Sequence, residues 1–551
     1  MSDMSTEVNP NQPAPKGKGK GFMIIALVAV LVLVAGGLSY AFIFSKSPLE
    51  LYLAAEVNTY EKAIESLKDT YKDEWELAEK SGKEPSVNEM EVRFGLQADG
   101  MESQVPDLAM VQKLLEDSKI KIVSKLDPKK EKAAVSMGYH LNDTPIADVN
   151  LFHSKKETGF QVPVLYDDYL YLPNAELGEF ARRMDPTYDG PEEIEYFIEA
   201  DATKTLKELN EIGKDYAEYL AQFIKDEHVT LEKNVEFHGE KMRQLTVSLS
   251  EAEVKKVMKG LLGKIEKDKS LSEFLYGQVF GQFPMAYGEE LKEEFKEKLV
   301  EAIERAKDGV DDVKFPGGYK AVVLVDKNET IVSRDVKLKI AQKDNADETV
   351  DLSYKSEDWD KDDKKNESNW KLEMKVPEDV GGKINASAKT VTSENKRALD
   401  FALKVTEHEE DLFGLTYKST TKGKKGDEKT DFTVTVISPE LESEIGADEL
   451  PINGHYNRKT DQNLGKGHSN TAIDFGLSVD AGLGRTIGFT ADVKSKTSFK
   501  DKPTFPNLKN EGVNVAEQSD EELQKIVEEM QKRLQEFIMN NQQLFEGSLG
   551  L

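Results

Sequence analysis

The chain has 551 residues, no cysteine, and a net charge of −29 from 103 acidic and 74 basic side chains. The lack of cysteine excludes disulfides, thiolate metal sites, thiol nucleophiles and a lipid-modified cysteine. So strong a negative balance excludes nucleic acid and anionic membrane surfaces as partners, since both need basic patches.

The first residues, MSDMSTEVNPNQPAP, are polar and almost free of apolar side chains, so 1–21 reads as a disordered cytoplasmic tail. An uncharged apolar run follows from Phe22 to Phe44. At about 1.5 Å per residue such a helix spans a hydrocarbon core of roughly 30 Å, which predicts a transmembrane helix over 22–44. Lys16, Lys18 and Lys20 precede it and only Lys46 follows closely, placing the N-terminus in the cytoplasm and the bulk outside. Ser39-Tyr40-Ala41 has the small-x-small form of a cleavage site, but the run is longer than a signal core and favours retention. A cysteine-free exported mass of this size must be held by its core alone, which points to a bacterial envelope.

Beyond the apolar run, Tyr60, Ile64, Leu67 and Tyr71 recur at helical steps, and Met90, Val92, Phe94, Leu96 and Ala98 then alternate with polar residues as in a half-buried strand. Segment 47–185 therefore reads as a helix plus an antiparallel meander. Segment 186–315 reads as mainly helical with one hairpin around EFHGEK. Ser250 and Glu253 form a capping box there, opening a helix with the stripe Val254, Val257, Met258, Leu261, Leu262 and Ile265.

From 316 to 500 the alternation is sustained: Val336, Leu338, Ile340; Trp370, Leu372, Met374; Leu399, Phe401, Leu403; Phe475, Leu477, Val479; Ile487, Phe489. Each strand has one dry and one wet face, the pattern of a large antiparallel sheet. A second capping box at Ser519 and Glu522 opens an amphipathic helix over 518–545, with Leu523, Ile526, Val527, Met530, Leu534, Phe537 and Ile538 on one side. That helix is the expected cover for the dry face. The fold class is thus α+β: an N-terminal transmembrane helix, then large antiparallel meander sheets covered by amphipathic helices.

Motifs that carry chemistry fail one by one. Asp358, Asp360 and Asp362 fit alternate calcium-loop positions, but Asp363 stands where the turn glycine belongs and Asn369 where the bidentate glutamate belongs, so a solvated hairpin tip is expected. Ser118-x-x-Lys121 matches a serine-nucleophile motif, but it sits in a strand pattern and lacks partners in the right order. The seven histidines show no zinc-ligand spacing, and there is no nucleophile elbow or phosphate loop. No catalytic, cofactor or metal residue is assigned, and no enzyme is expected.

The run SPLELYLAAEVNTYEKAIESLKD resembles the opening of an uncharacterised family of Bacillus-type single-pass envelope proteins, through Ser47-Pro48, Tyr52, Ala55-Glu56, Thr59 and the later Glu84-Pro85. The resemblance covers about the first hundred residues and implies no activity, ligand or catalytic residue. A helix followed by one-faced strands also resembles, in pattern only, the cupped-sheet lipid carriers of the LolA and LppX type, which would imply an apolar pocket.

Together these readings predict a non-enzymatic, membrane-anchored, extracytoplasmic binding or scaffolding protein of the envelope. It would be single-pass in the cell membrane, with an envelope protein or lipid as partner and no cofactor. The alternatives are a carrier of lipid or another apolar ligand in a cupped sheet, and a carboxylate-based envelope hydrolase.

Overall fold

A computed structural model describes residues 47–100, 108–194, 202–280, 289–343, 349–362, 365–376, 382–408, 410–480 and 485–541. The expected tail and anchor, 1–21 and 22–44, lie outside the described residues. Among the described residues, no helix is long and apolar enough to cross a membrane.

The helices are α1 (Pro48–Thr70), α2 (Lys72–Lys83), α3 (Leu108–Asp117), α4 (Leu177–Met184), α5 (Ala202–Ala221), α6 (Glu251–Lys267), α7 (Lys269–Phe280), α8 (Glu289–Asp311), α9 (Pro439–Ile445), α10 (Leu508–Glu511) and α11 (Asp520–Asn540). Strands β1 (Ser86–Asp99), β2 (Ser118–Asp127), β3 (Lys132–Leu141), β4 (Thr144–Ser154), β5 (Glu157–Gln161) and β6 (Tyr169–Pro173) come first. A hairpin of β7 (Val229–Phe237) and β8 (Glu240–Leu249) follows, then β9 (Val313–Lys314), β10 (Tyr319–Val325), β11 (Ile331–Gln342), β12 (Thr349–Asp362) and β13 (Lys365–Lys375). The rest are β14 (Gly382–Ser393), β15 (Lys396–Glu407), β16 (Glu410–Lys424), β17 (Asp427–Ile437), β18 (Glu449–Asn463), β19 (His468–Asp480), β20 (Thr486–Ser498) and β21 (Gly512–Asn514).

All 21 strands belong to one sheet. From the end at β7 it runs through β8 and β10, then in chain order from β11 to β20. There it is joined by β1, which pairs with β20 from Val87↔Ser498 to Asp99↔Thr486, and it continues through β2 to β6. The pairs are antiparallel except the last, where β21 lies parallel to β6. Among the described residues, β7 and β21 are not paired with each other, so the sheet is open. At 4.7–4.9 Å per strand step, its width along the sheet is on the order of 90 Å.

Local chemistry sets the turns. Asn142 and Asp143, between β3 and β4, have φ of 48° and 65°, the double left-handed conformation of a two-residue hairpin whose twist matches the strands. His238 and Gly239 do the same between β7 and β8, at 49° and 86°. Both expected capping boxes form, and a third opens α1, where the Glu50 carboxylate accepts from the Ser47 N–H at 2.8 Å.

One face of the sheet carries the core at the β7 end. Leu51, Tyr52 and Ala55 of α1, the α6 stripe from Val254 to Leu262, and Ile303, Ala306 and Val310 of α8 pack on Leu245, Val247, Ala321, Val323, Val336, Leu338, Ile340 and Leu352. Each fully buried aliphatic side chain contributes about 1.5–3 kcal/mol. Further along, Lys62 of α1 reaches Asp358 at 3.5 Å, Glu74 of α2 pairs with Arg458, and the Asp73 carbonyl accepts from Gln462 at 2.9 Å. The two helices therefore run across the strands from β12 to β18.

The expected fold class is corrected. Instead of meanders covered by amphipathic helices behind a transmembrane helix, strands from 47–185, 186–315 and 316–500 hydrogen-bond into a single sheet. The buried helical core lies at one end of it. Alternation fixes the face a side chain takes but not the strand beside it, so the pairing of β1 with β20 leaves no mark in either segment. The C-terminal helix α11 does not cover the dry face either, for none of its side chains is buried.

Candidate functional site

The motifs set aside in the sequence do not reassemble. Ser118 donates to the Leu114 carbonyl at 2.5 Å, and Lys121, three residues on in the same strand, points to the opposite face. Asp358 and Asp360 are ordinary β12 residues, bridged by the Asn366 amide at 2.8 and 3.3 Å. The carboxylates that lie buried among the described residues are Glu56, Asp127 and Glu367, and each meets a base: Arg334 at 2.5 Å, Lys130 at 2.9 Å and Lys389 at 2.5 Å. No pair of carboxyl groups is left converging for acid and base work there.

One cluster has the composition of a metal site. Glu227, His228 and Glu253 each offer a ligand atom within 4.8 Å of the others. His228 is buried; its Nδ1 accepts from the Lys225 N–H at 3.1 Å, and its Nε2 lies 2.7 Å from Glu253 Oε1. With Nδ1 accepting, neutral His228 carries its proton on Nε2 and donates to Glu253, so the nitrogen facing the carboxylates has no lone pair for an ion. The cluster is a brace. It ties the start of β7 to the first turn of α6.

Sequence reading missed this pairing, although the β7–β8 hairpin itself brings residue 228 opposite residue 248, two residues before the Ser250 cap of α6. The Ser250 hydroxyl and N–H donate to Glu253 at 2.6 and 2.8 Å and, with His228, hold its carboxyl down at about 2. A carboxyl lowered from its unfolded value contributes stability that is complete above that value, near 4.5, and is lost as pH falls through the folded value. Ser250→Ala is expected to cost about 1 kcal/mol at neutral pH, as for other lost caps. In chemical denaturation at falling pH the gap between variant and wild type should shrink between pH 4.5 and about 2. A gap of constant size would count against the brace.

The largest unassigned feature is the open part of the apolar face. One row of cross-strand neighbours runs Val247, Ala321, Val336, Tyr354, Leu372, Ala386, Leu403, Leu415, Val436 and Leu450. Val247, Ala321 and Val336 at its start are fully buried under helices, whereas Leu372 to Leu450 are half-buried. The same face continues past β20 onto β3, β4 and β5, where Met137 pairs with Val149, Val135 with Leu151, and Leu151 with Phe160. These five side chains are 36–45% exposed, and Ile487 and Phe489 on β20 are 40% and 37% exposed. A contiguous exposed apolar patch is not needed for solubility and marks a contact surface.

The opposite face is polar, with Lys371 and Lys383 both near Glu373 and Lys404 near Asp411. A shallow groove of about 770 Å³ there is lined by Lys121, Lys459, Lys494 and Lys496 against Glu89, Glu91 and Asp461, an alternating and nearly balanced set of charges. The sheet end at β7 is guarded, since a bulge between Lys233 and Val235, with Asn234 at φ 63°, interrupts its ladder. Bulges and charges of that kind discourage a further strand.

No protein-family model and no curated protein matches the chain. Among solved structures it is similar to OccK11 of Pseudomonas aeruginosa, with a TM-score of 0.24 and 4% identity over 76% of this chain and 98% of that one. OccAB4 of Acinetobacter baumannii gives 0.23 and 8% over 76% and 98%. The outer membrane protein OpdK of Pseudomonas aeruginosa gives 0.22 and 6% over 75% and 98%. Scores of that size transfer no pore, substrate or membrane to this chain.

These findings correct the functional expectations. Strands from all three segments join one 21-stranded sheet, and among the described residues no helix is long and apolar enough to cross a membrane. The membrane-anchored binding or scaffolding role, with its alternatives of lipid carrier and hydrolase, is corrected accordingly. So are the N-terminal anchor as membrane partner and the single-pass location with a cytoplasmic N-terminus. The hydropathy of one segment measures that segment, and the architecture of the remainder follows from long-range strand pairing that hydropathy does not encode.

Proposed function

We propose that the protein is a non-enzymatic recognition module for polypeptides, which takes an amphipathic helix onto the open part of its apolar sheet face. The observation that carries this reading is the continuity of that face. Where it is buried, amphipathic helices cover it, and the same register of apolar side chains then continues, half-buried along the strands that α1 and α2 cross, to Met137, Leu151 and Phe160, which are exposed. A helix with a stripe of apolar residues at three and four residue steps is the element that fits such a surface, as α6 does at the other end.

The test is a labelled synthetic amphipathic helix of about three heptads, with leucine at its a and d positions and glutamate elsewhere. Fluorescence anisotropy against the full chain should show saturable binding, and Met137→Glu with Leu151→Glu should abolish it while leaving the circular dichroism spectrum unchanged. Absence of binding, or binding indifferent to those substitutions, removes the reading.

A further inference from the structure

The exposed end of the apolar face is wider than one helix. Ser495, Met90, Ile122, Met137 and Val149 form one row across β20, β1, β2, β3 and β4. On those strands and on β5 and β6, no residue in phase with that row is Asp, Glu, Lys or Arg. The strand steps from β20 to β6 make this charge-free region about 29 Å wide, and the residue steps from Ala133 to Leu141 on β3 make it about 27 Å long. Each partner in a stable complex buries about 800 Å², close to the size of that rectangle. A single helix is about 10–12 Å across and leaves more than half of it bare.

The exposed side chains also fall into two groups. Val135, Met137, Val149, Leu151 and Phe160 form the first, and Ile487 and Phe489 the second. The row of Met137 meets β20 at Ser495, so Phe489 stands six residues along the strand and three strands across, about 25 Å away. Met110 and Val111 of α3, which packs against β1 at the border of the region, are exposed as well. At its buried end the chain covers this same face with helices side by side. There α6 and α8 run antiparallel, tied by Lys259 to Asp311 and by Lys307 to Glu266, both at 2.5 Å, and α1 lies on the same strands.

We infer that the partner presents two antiparallel amphipathic helices, one seated on Met137 and Leu151 and the other on Ile487 and Phe489. The inference rests on the polypeptide-recognition reading above and names the form of its partner. The sides of both helices that meet the face are free of charge, because a charged group there would lose its water and find no counter-charge on any strand from β20 to β6.

The probes are one labelled amphipathic helix of about three heptads and a hairpin of two such helices joined by a glycine loop. Both carry leucine at a, d and e and glutamate elsewhere, so that the paired helices pack together and still present an apolar side. Fluorescence anisotropy against the full chain is expected to show the hairpin binding about a hundredfold tighter than the single helix. Ile487→Glu with Phe489→Glu should remove most of that gain and leave the single helix unaffected. Ile487→Ser with Phe489→Ser, a milder pair at positions 40% and 37% exposed, should act in the same direction.

A hairpin no tighter than the single helix, or one indifferent to both pairs of substitutions on β20, overturns the inference. Single-helix binding that Met137→Glu with Leu151→Glu abolishes would then leave the recognition reading standing. If neither peptide binds, the reading fails and the inference falls with it.

Discussion

Replacing Arg334 with methionine is expected to destabilise the protein by about 3–5 kcal/mol, the cost of leaving a buried charge without its partner. Glu56 of α1 is fully buried against the sheet, and both its oxygens accept from the Arg334 guanidinium of β11, at 2.5 and 2.6 Å. Tyr52 and Tyr319 close the site; burial raises both phenols, that of Tyr319 to about 12, so both stay neutral around the ion pair. Burial alone would lower Arg334, yet its pKa is raised because the Glu56 carboxylate beside it favours the charged form.

The pair lies where α1 meets the covered end of the face, so its loss should loosen the helix as well as the strands. Glu56→Met combined with Arg334→Met should recover most of the loss, since two apolar side chains of similar size need no partner in an apolar site. Urea unfolding of both single variants and the double variant measures this. Single-variant losses below about 1 kcal/mol would show that the pair is solvated and the packing of α1 looser than described.

Much of the local structure was legible in the sequence. The alternation of Val336, Leu338 and Ile340, the α6 stripe and the capping boxes at Ser250 and Ser519 all depend on neighbours within a few residues, and the chain encodes such relations directly. What was not legible is long-range. Val92 alternates correctly for a strand whether its neighbour is Ile120 or Val493, and in the sheet it has both. The candidate surface was half legible for the same reason. The dry faces and the amphipathic α11 could both be read, and the attachment of α11 could not, because Asp167 and Arg533, which meet there, lie 366 positions apart. His228 stands between these cases: the hairpin that brings it to the start of α6, within reach of Glu253, is local, so the pairing was available to a reading that followed the two strand ends.

Two adjacent glycines separate backbone strain from steric overlap and give the second large expected effect. The turn Phe315-Pro316-Gly317-Gly318 delivers the chain into β10, closed by the Gly318 N–H donating to the Phe315 carbonyl at 2.8 Å. Both glycines are left-handed, with φ of 81° and 67°. Gly317 faces open space, so Gly317→Ala pays only for the left-handed conformation, about 1–2 kcal/mol. A Cβ on Gly318 would overlap the backbone oxygen of Leu249, whose residue pairs with Tyr319 at the end of the β8–β10 ladder. Backbone cannot swing aside as a side chain can, so Gly318→Ala adds the displacement of that ladder and should cost about 2–5 kcal/mol. Because β8 and β10 carry Leu245, Val247, Ala321 and Val323 under the helices, the displacement reaches the core and should also speed amide exchange along both strands. Equal losses for the two variants, measured by thermal and urea unfolding, would show that the turn opens to relieve the overlap and that its ties to β8 are weaker than the register implies.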